Sequence, residues 1–169
     1  MSKAGYTVAT VNPATQVTAP VALTANVARS VLGVQAPAAF GLELKKLRVG
    51  LYGISATAVP GDIEVCAATF ATNPPVAGAS TDMTAVVPQQ VYGRPIPAGF
   101  LASMAWTAGK EPTVLSVIDT WPLTPNGGVV LYDLPLGDSP DCAPNTGFIL
   151  RAKFPAAVSI SACFWLERI

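Results

Sequence analysis

The stretch Gly41-Leu42-Glu43-Leu44-Lys45-Lys46-Leu47-Arg48-Val49-Gly50-Leu51-Tyr52 decides how this chain folds. Leu42 and Leu44 fall on one parity, while Leu47, Val49 and Leu51 fall on the other. Side chains of a strand alternate between two faces with period two, so an unbroken strand would send these residues to opposite sides. A β-bulge at Lys45-Lys46 inserts one extra residue and returns all five to one apolar face. The segment therefore reads as a long bulged strand with one buried side.

Outward from this strand the same grammar continues. From Arg29 onward, short segments rich in β-branched residues alternate with Pro/Gly turns, the pattern of a sandwich or barrel. The spacing predicts about nine strands, at 30–34, 41–52, 63–69, 89–92, 101–107, 114–119, 129–134, 148–154 and 158–167. Val59-Pro60-Gly61-Asp62 has the form of a type II turn, and Pro125-Asn126-Gly127-Gly128 is a hairpin signal between two apolar runs. Phe154-Pro155-Ala156-Ala157 joins the last two strands. Sixteen prolines and fourteen glycines leave almost no window for a long helix. The loop 71–88, with Asn73-Pro74-Pro75, Gly78 and Pro88, is long enough to expect a role in reaching a partner.

Residues 1–28 differ from the rest. They are rich in Ala, Thr and Val, broken by Pro13 and Pro20, and lack both helical period and the charge of a solvated disordered tail. The expectation is an extended N-terminal arm ordered by contact with a neighbour, followed by a domain at 29–169. The candidate partner-binding residues are Val8, Val11, Val17, Val21, Leu23 and Val27 of this arm, together with Trp121. The expected fold is all-β, a jelly-roll-like β-sandwich of eight or nine strands.

A chain of 169 residues buries roughly 70% of its unfolded surface, so one self-sufficient core needs neither metals nor disulfides. Hydrophobic residues make up 51% and charged residues 12%, against a usual charged fraction of roughly 25%. So little charge implies a surface that is partly covered in use. Ten basic and ten acidic residues cancel, and no run of like charge exceeds Lys45-Lys46 with Arg48 nearby, which argues against a nucleic-acid partner. No apolar run approaches the ~20 residues that span a bilayer as a helix, and Ala4 to Ala28 does not read as a secretion signal. Cys66, Cys142 and Cys163 form no CxxC pair, and their odd number suits a reducing cytosol. Cys66 and Cys163 read as buried strand residues, and Cys142, in a Pro/Asp loop, as the more exposed thiol.

Catalytic patterns are missing. The chain contains no histidine, which removes the usual general base, nucleophile activator and commonest zinc ligand. GxGxxG, GxxxxGK[ST] and GxSxG are absent. Glu43 and Glu64 are the one carboxylate pair worth testing for glycosidase chemistry, although both also read as solvent-facing strand residues. Asp133, Asp138 and Asp141 are oxygen donors without EF-hand spacing and read as turn formers. The expectation is no enzyme, no cofactor, no catalytic residue and no metal. Trp106, Trp121 and Trp165 with Tyr52, Tyr92 and Tyr132 can build a carbohydrate platform. In the last strand, however, Cys163, Trp165 and Glu167 alternate with Phe164 and Leu166, so part of this set belongs to the core.

Several segments then resemble a known group. They are Leu44-Lys45-Lys46-Leu47-Arg48-Val49-Gly50-Leu51 with Ser55-Ala56-Thr57-Ala58-Val59-Pro60, and Tyr132-Asp133-Leu134-Pro135-Leu136-Gly137-Asp138. Gly147-Phe148-Ile149-Leu150-Arg151-Ala152, Pro155-Ala156-Ala157-Val158-Ser159-Ile160 and the closing Trp165-Leu166-Glu167-Arg168 complete the set. Over residues 30–169 the chain resembles small β-sandwich virion proteins of tailed bacteriophages. The resemblance implies a capsid decoration (cement) protein on the outer capsid surface, made in the host bacterial cytoplasm. It also implies a homo-oligomer, commonly a trimer, bound to the major capsid protein. A carbohydrate- or receptor-binding module of a head or tail fibre is the alternative reading.

Overall fold

The computed structural model of the chain describes residues 3–11, 20–52, 59–112, 114–125, 128–134 and 139–169. Every regular element among them is a β-strand, and the strands are numbered β1 to β13 in chain order. They form two antiparallel sheets packed face to face, a β-sandwich. The first sheet runs β10 (Gly128–Asp133), β4 (Leu42–Tyr52), β13 (Val158–Arg168), β1 (Gly5–Ala9) and β7 (Gln89–Tyr92). Short β11 (Asp141–Cys142) adds beside β4, and β2 (Val21–Leu23) beside β13. The second sheet runs β6 (Thr84–Val86), β8 (Leu101–Met104), β3 (Arg29–Gln35), β12 (Gly147–Lys153), β5 (Gly61–Ala68) and β9 (Val114–Leu123).

The bulge lies where the leucine parity requires it. Across β13 and β4, Trp165 faces Lys46 and the next residue, Leu166, faces Leu44, which leaves Lys45 as the extra residue. Leu42, Leu44, Leu47, Val49 and Leu51 are consequently all buried in one core. On β13 the two-residue alternation is equally clear: Ile160, Ala162, Phe164 and Leu166 join that core, while Ser161, Trp165 and Glu167 stay half-buried on the outer face.

All nine expected strands are present, and four short ones (β1, β2, β6 and β11) are added. Two turn assignments need correction. Gly61 opens β5 and lies outside the left-handed region that a type II turn demands of its third residue. It is glycine because a Cβ there would run into the Phe154 ring and the Lys153 carbonyl. The Asn126-Gly127 signal lies outside the described residues, but its flanking strands β9 and β10 belong to different sheets, so they do not pair as a hairpin. Phe154 to Ala157 likewise connects β12 in one sheet to β13 in the other. Both connections thus cross from one sheet of the sandwich to the other.

The loop 71–88 does not project from the domain. It folds back on the outer face of the second sheet, where Trp106 is fully buried over Gly33 and donates from Nε1 to the Asn73 carbonyl, 3.1 Å away. Val76 N donates to Ser103 Oγ, and Thr107 N donates to the Asp82 carbonyl. Strand β6, inside this loop, pairs with β8.

The described parts of the expected arm, 3–11 and 20–28, lie on their own domain instead of on a neighbour. β1 is inserted between β13 and β7, and Tyr6 and Val8 are buried in the domain's own core. Burying side chains of this size stabilises by about 1.5–3 kcal/mol each, which favours β1 in the domain's own sheet. Val21 and Leu23 of β2 enter the same core.

Candidate functional site

The exposed apolar surface gathers around β10. Among the described residues this strand pairs only with β4 and its other edge has no partner, and Val129 (67% exposed) and Leu131 (53%) project from the outer face. A groove of about 240 Å³ beside it is lined by Val11, Arg48, Tyr52, Val129 and Ser161. On the inner side, Tyr132 stacks on Trp121 of β9, with ring centroids 5.9 Å apart and planes 6° from parallel. The stack stands in a cleft of about 440 Å³ between the two sheets, whose walls include Leu44, Leu47 and Val65. β9 is itself an edge strand, with Val117 and Ile118 exposed. Open, apolar strand edges are the surfaces on which chains pair, and isolated proteins normally blunt them.

Of the residues singled out from sequence as partner contacts, Val11 and Trp121 thus come together on the two sides of β10, and Val27 is exposed elsewhere. Val8, Val21 and Leu23 are corrected to core positions, because their strands complete the first sheet. Val17 lies outside the described residues. Val129, Leu131 and Tyr132 carry most of the patch without having been singled out as contacts. Their signal was the apolar run Val129-Val130-Leu131-Tyr132, which marks a strand but not its place at an edge.

A second concavity lies on the outer face of the first sheet, near the chain ends. Register builds it. Gly5 of β1 is opposite Tyr92 of β7 on one side and Glu167 of β13 on the other, and Glu167 is opposite Glu43 of β4. Because Gly5 has no side chain, a hollow of about 170 Å³ opens between Tyr92 and Trp165, with Lys45, Lys46 and Glu167 in its wall. The Tyr92 ring lies against Gly5, where a Cβ would strike it. Tyr92 Oη donates to Glu167 Oε1, and this bond, followed by desolvation and the carboxylate's charge, pushes the phenol up to about 12. Lys45 Nζ binds Glu43 and stands 3.9 Å from Glu167 Oε2, and Lys46 Nζ pairs with Asp133 at 2.8 Å.

The other candidates separate in space. Glu43 and Glu64 occupy different sheets and point away from the core on opposite outer faces, Glu43 paired with Lys45 and Glu64 3.7 Å from Arg151. They are therefore not brought together as a catalytic pair. Asp138 lies outside the described residues, Asp133 binds Lys46, and Asp141 pairs with β4 through the β11 ladder. Among the described residues no group of three metal-ligating side chains occurs. All three cysteines are free and buried. Cys142 is the most exposed of the three, but at 7% it is buried too, because it lies in β11 against β4 and not in a loop. Burial pushes Cys66 and Cys163 up to about 11 and raises Cys142 as well, which holds all three as poorly reactive thiols. Trp106 is core and Trp165 lines the hollow, so the six aromatic residues form no single platform.

Fold and surface define an all-β sandwich with an apolar edge and a small aromatic hollow. Compared with protein-family models, curated proteins and solved structures, the chain matches none.

Proposed function

We propose that this protein is a structural virion protein of a tailed bacteriophage that decorates and stabilises the capsid shell as an oligomer. The observation that carries the reading is the β10 edge, unpaired among the described residues, with Val129 and Leu131 exposed beside it and the Trp121–Tyr132 stack behind it. A surface this poor in charge keeps such an edge in water only at the risk of aggregation, and a closed cyclic assembly removes it from water. The capsid itself is supported by the resemblance of residues 30–169. A trimer on the outer shell then stabilises by multivalency, since its first contact raises the effective concentration of the second and third.

Sedimentation of the full chain together with co-pelleting on expanded phage shells tests the proposal. The expected result is a discrete oligomer, a trimer, that pellets with shells and not with free major capsid protein. Leu131→Lys is expected to yield a folded species of lower mass that no longer pellets. A wild-type monomer that leaves shells unbound would overturn the reading.

A further inference from the structure

We propose that the groove beside β10 is the seat of a carboxylate, and that its partner is an extended polypeptide segment carrying an Asp or Glu between apolar residues. The inference rests on the β10 face being the protein's contact surface, and it names the chemistry of what lies there. Strand register builds the seat. Gly50 of β4 stands between Val129 of β10 and Ser161 of β13, and it brings no side chain into the space between Arg48 and Tyr52. The groove of about 240 Å³ opens there, with Val11 in its wall.

Arg48 supplies the charge. The nearby lysines are matched, Lys45 by Glu43, Lys46 by Asp133 at 2.8 Å and Lys3 by Glu167 at 4.0 Å. Arg48 is exposed and pairs with no carboxylate among the described residues. Its guanidinium carbon lies 5.5 Å from the centroid of the Trp165 ring. An aromatic face holds a flat guanidinium by cation–π attraction and leaves its in-plane N–H donors for a carboxylate, which arginine binds through two parallel bonds. Ser161 Oγ reaches the Gly50 carbonyl only at 3.4 Å, so its proton can turn to a carboxylate in the groove instead.

Charge count and surface together select the partner. One unmatched cation suits one carboxylate. A phosphodiester chain draws its affinity from several neutralised phosphates, and beside Arg48 the next cation, Lys46, is already held by Asp133. The ground next to the groove is apolar: Val129 is in its wall, and Leu131 is the register neighbour of Arg48. Apolar side chains on either side of the carboxylate rest there. The β10 edge, unpaired among the described residues, offers main-chain donors and acceptors to an added strand. A peptide answers the charge, the apolar surface and the backbone edge at once.

The test titrates the isotope-labelled full chain with blocked peptides of sequence Thr-Val-Asp-Val-Thr, the same with Asn for Asp, and the same with Lys, and follows backbone amides by NMR. Expected is millimolar or tighter binding of the Asp peptide, with shifts centred on Gly50 and Ser161. The Asn peptide should bind about tenfold or more weakly, the scale of one charged hydrogen bond, and the Lys peptide not at all. Arg48→Gln should erase the difference between the Asp and Asn peptides, and Arg48→Lys should keep part of it. No binding of the Asp peptide, equal binding of the Asp and Asn peptides, or a difference that survives Arg48→Gln would overturn the proposal. Inorganic phosphate that displaces the Asp peptide at equal concentration would overturn it too, by making the groove a seat for any anion. The peptides probe the groove without shells, so a wild type that prefers the Asp peptide but binds no shell drops the capsid and keeps this inference. Shell binding by a chain indifferent to Asp and Asn does the reverse.

Discussion

Trp121 of β9 and Tyr132 of β10 stack nearly parallel across the gap between two sheets whose edge strands share no ladder. No backbone ladder joins β9 to β10 among the described residues, so this stack is a side-chain contact across the gap. Aromatic pairs of this kind contribute about 0.5–1.5 kcal/mol beyond their buried area. In urea denaturation, a double-mutant cycle of Trp121→Leu and Tyr132→Leu should give a coupling energy in that range. Strict additivity of the two changes would mean that the stack does not join the sheets.

Lys45 matters by its presence as a residue more than by its charge. Deleting it removes the bulge and turns Leu42 and Leu44 to the outer face, or else moves Leu47, Val49 and Leu51 there, since a one-residue slip inverts a strand. The deletion is expected to abolish cooperative unfolding in calorimetry. Lys45→Ala keeps the bulge and loses the contacts to Glu43 and Glu167, so it should cost about 1 kcal/mol or less and leave one sharp transition.

The Tyr92 phenol, raised above its ordinary value of 10 to about 12, gives a pH signature. A raised folded pKa means that the native state holds the proton more tightly than the unfolded chain does. This contribution to stability is complete below pH 10 and is lost as the pH rises from 10 through about 12. Ultraviolet tyrosinate titration should show late-ionising tyrosines, since burial raises Tyr6 as well, and Tyr92→Phe should remove one of them. In Glu167→Gln the Tyr92 titration should fall back toward 10.

Buried thiols with raised pKa should react slowly. At pH 8 the native protein is expected to leave Cys66, Cys142 and Cys163 unlabelled by a thiol-specific disulfide reagent over minutes, and the protein in guanidinium should label at all three. Fast labelling of Cys142 in the native state would show that the β11 ladder opens readily.

Local pattern determined a good deal by itself. The parity of the leucines from Leu42 to Leu51 specified a bulge at Lys45-Lys46, and β-branched runs between Pro/Gly breaks specified nine strands, because side-chain alternation is a property of the backbone within a few residues. Missing histidine and missing phosphate-loop motifs were also visible without a fold. Tertiary structure alone decided which strands are neighbours. It placed β1 between β13 and β7, making Val8 core and bringing Gly5 beside both Tyr92 and Glu167, residues far apart in the chain. It buried Cys142 and Trp106, and it left the outer face of β10 uncovered, so that Val129 and Leu131 are exposed there. The physical reason is range: alternation tells a side chain which way to point, but only the long-range pairing of strands tells it what lies there.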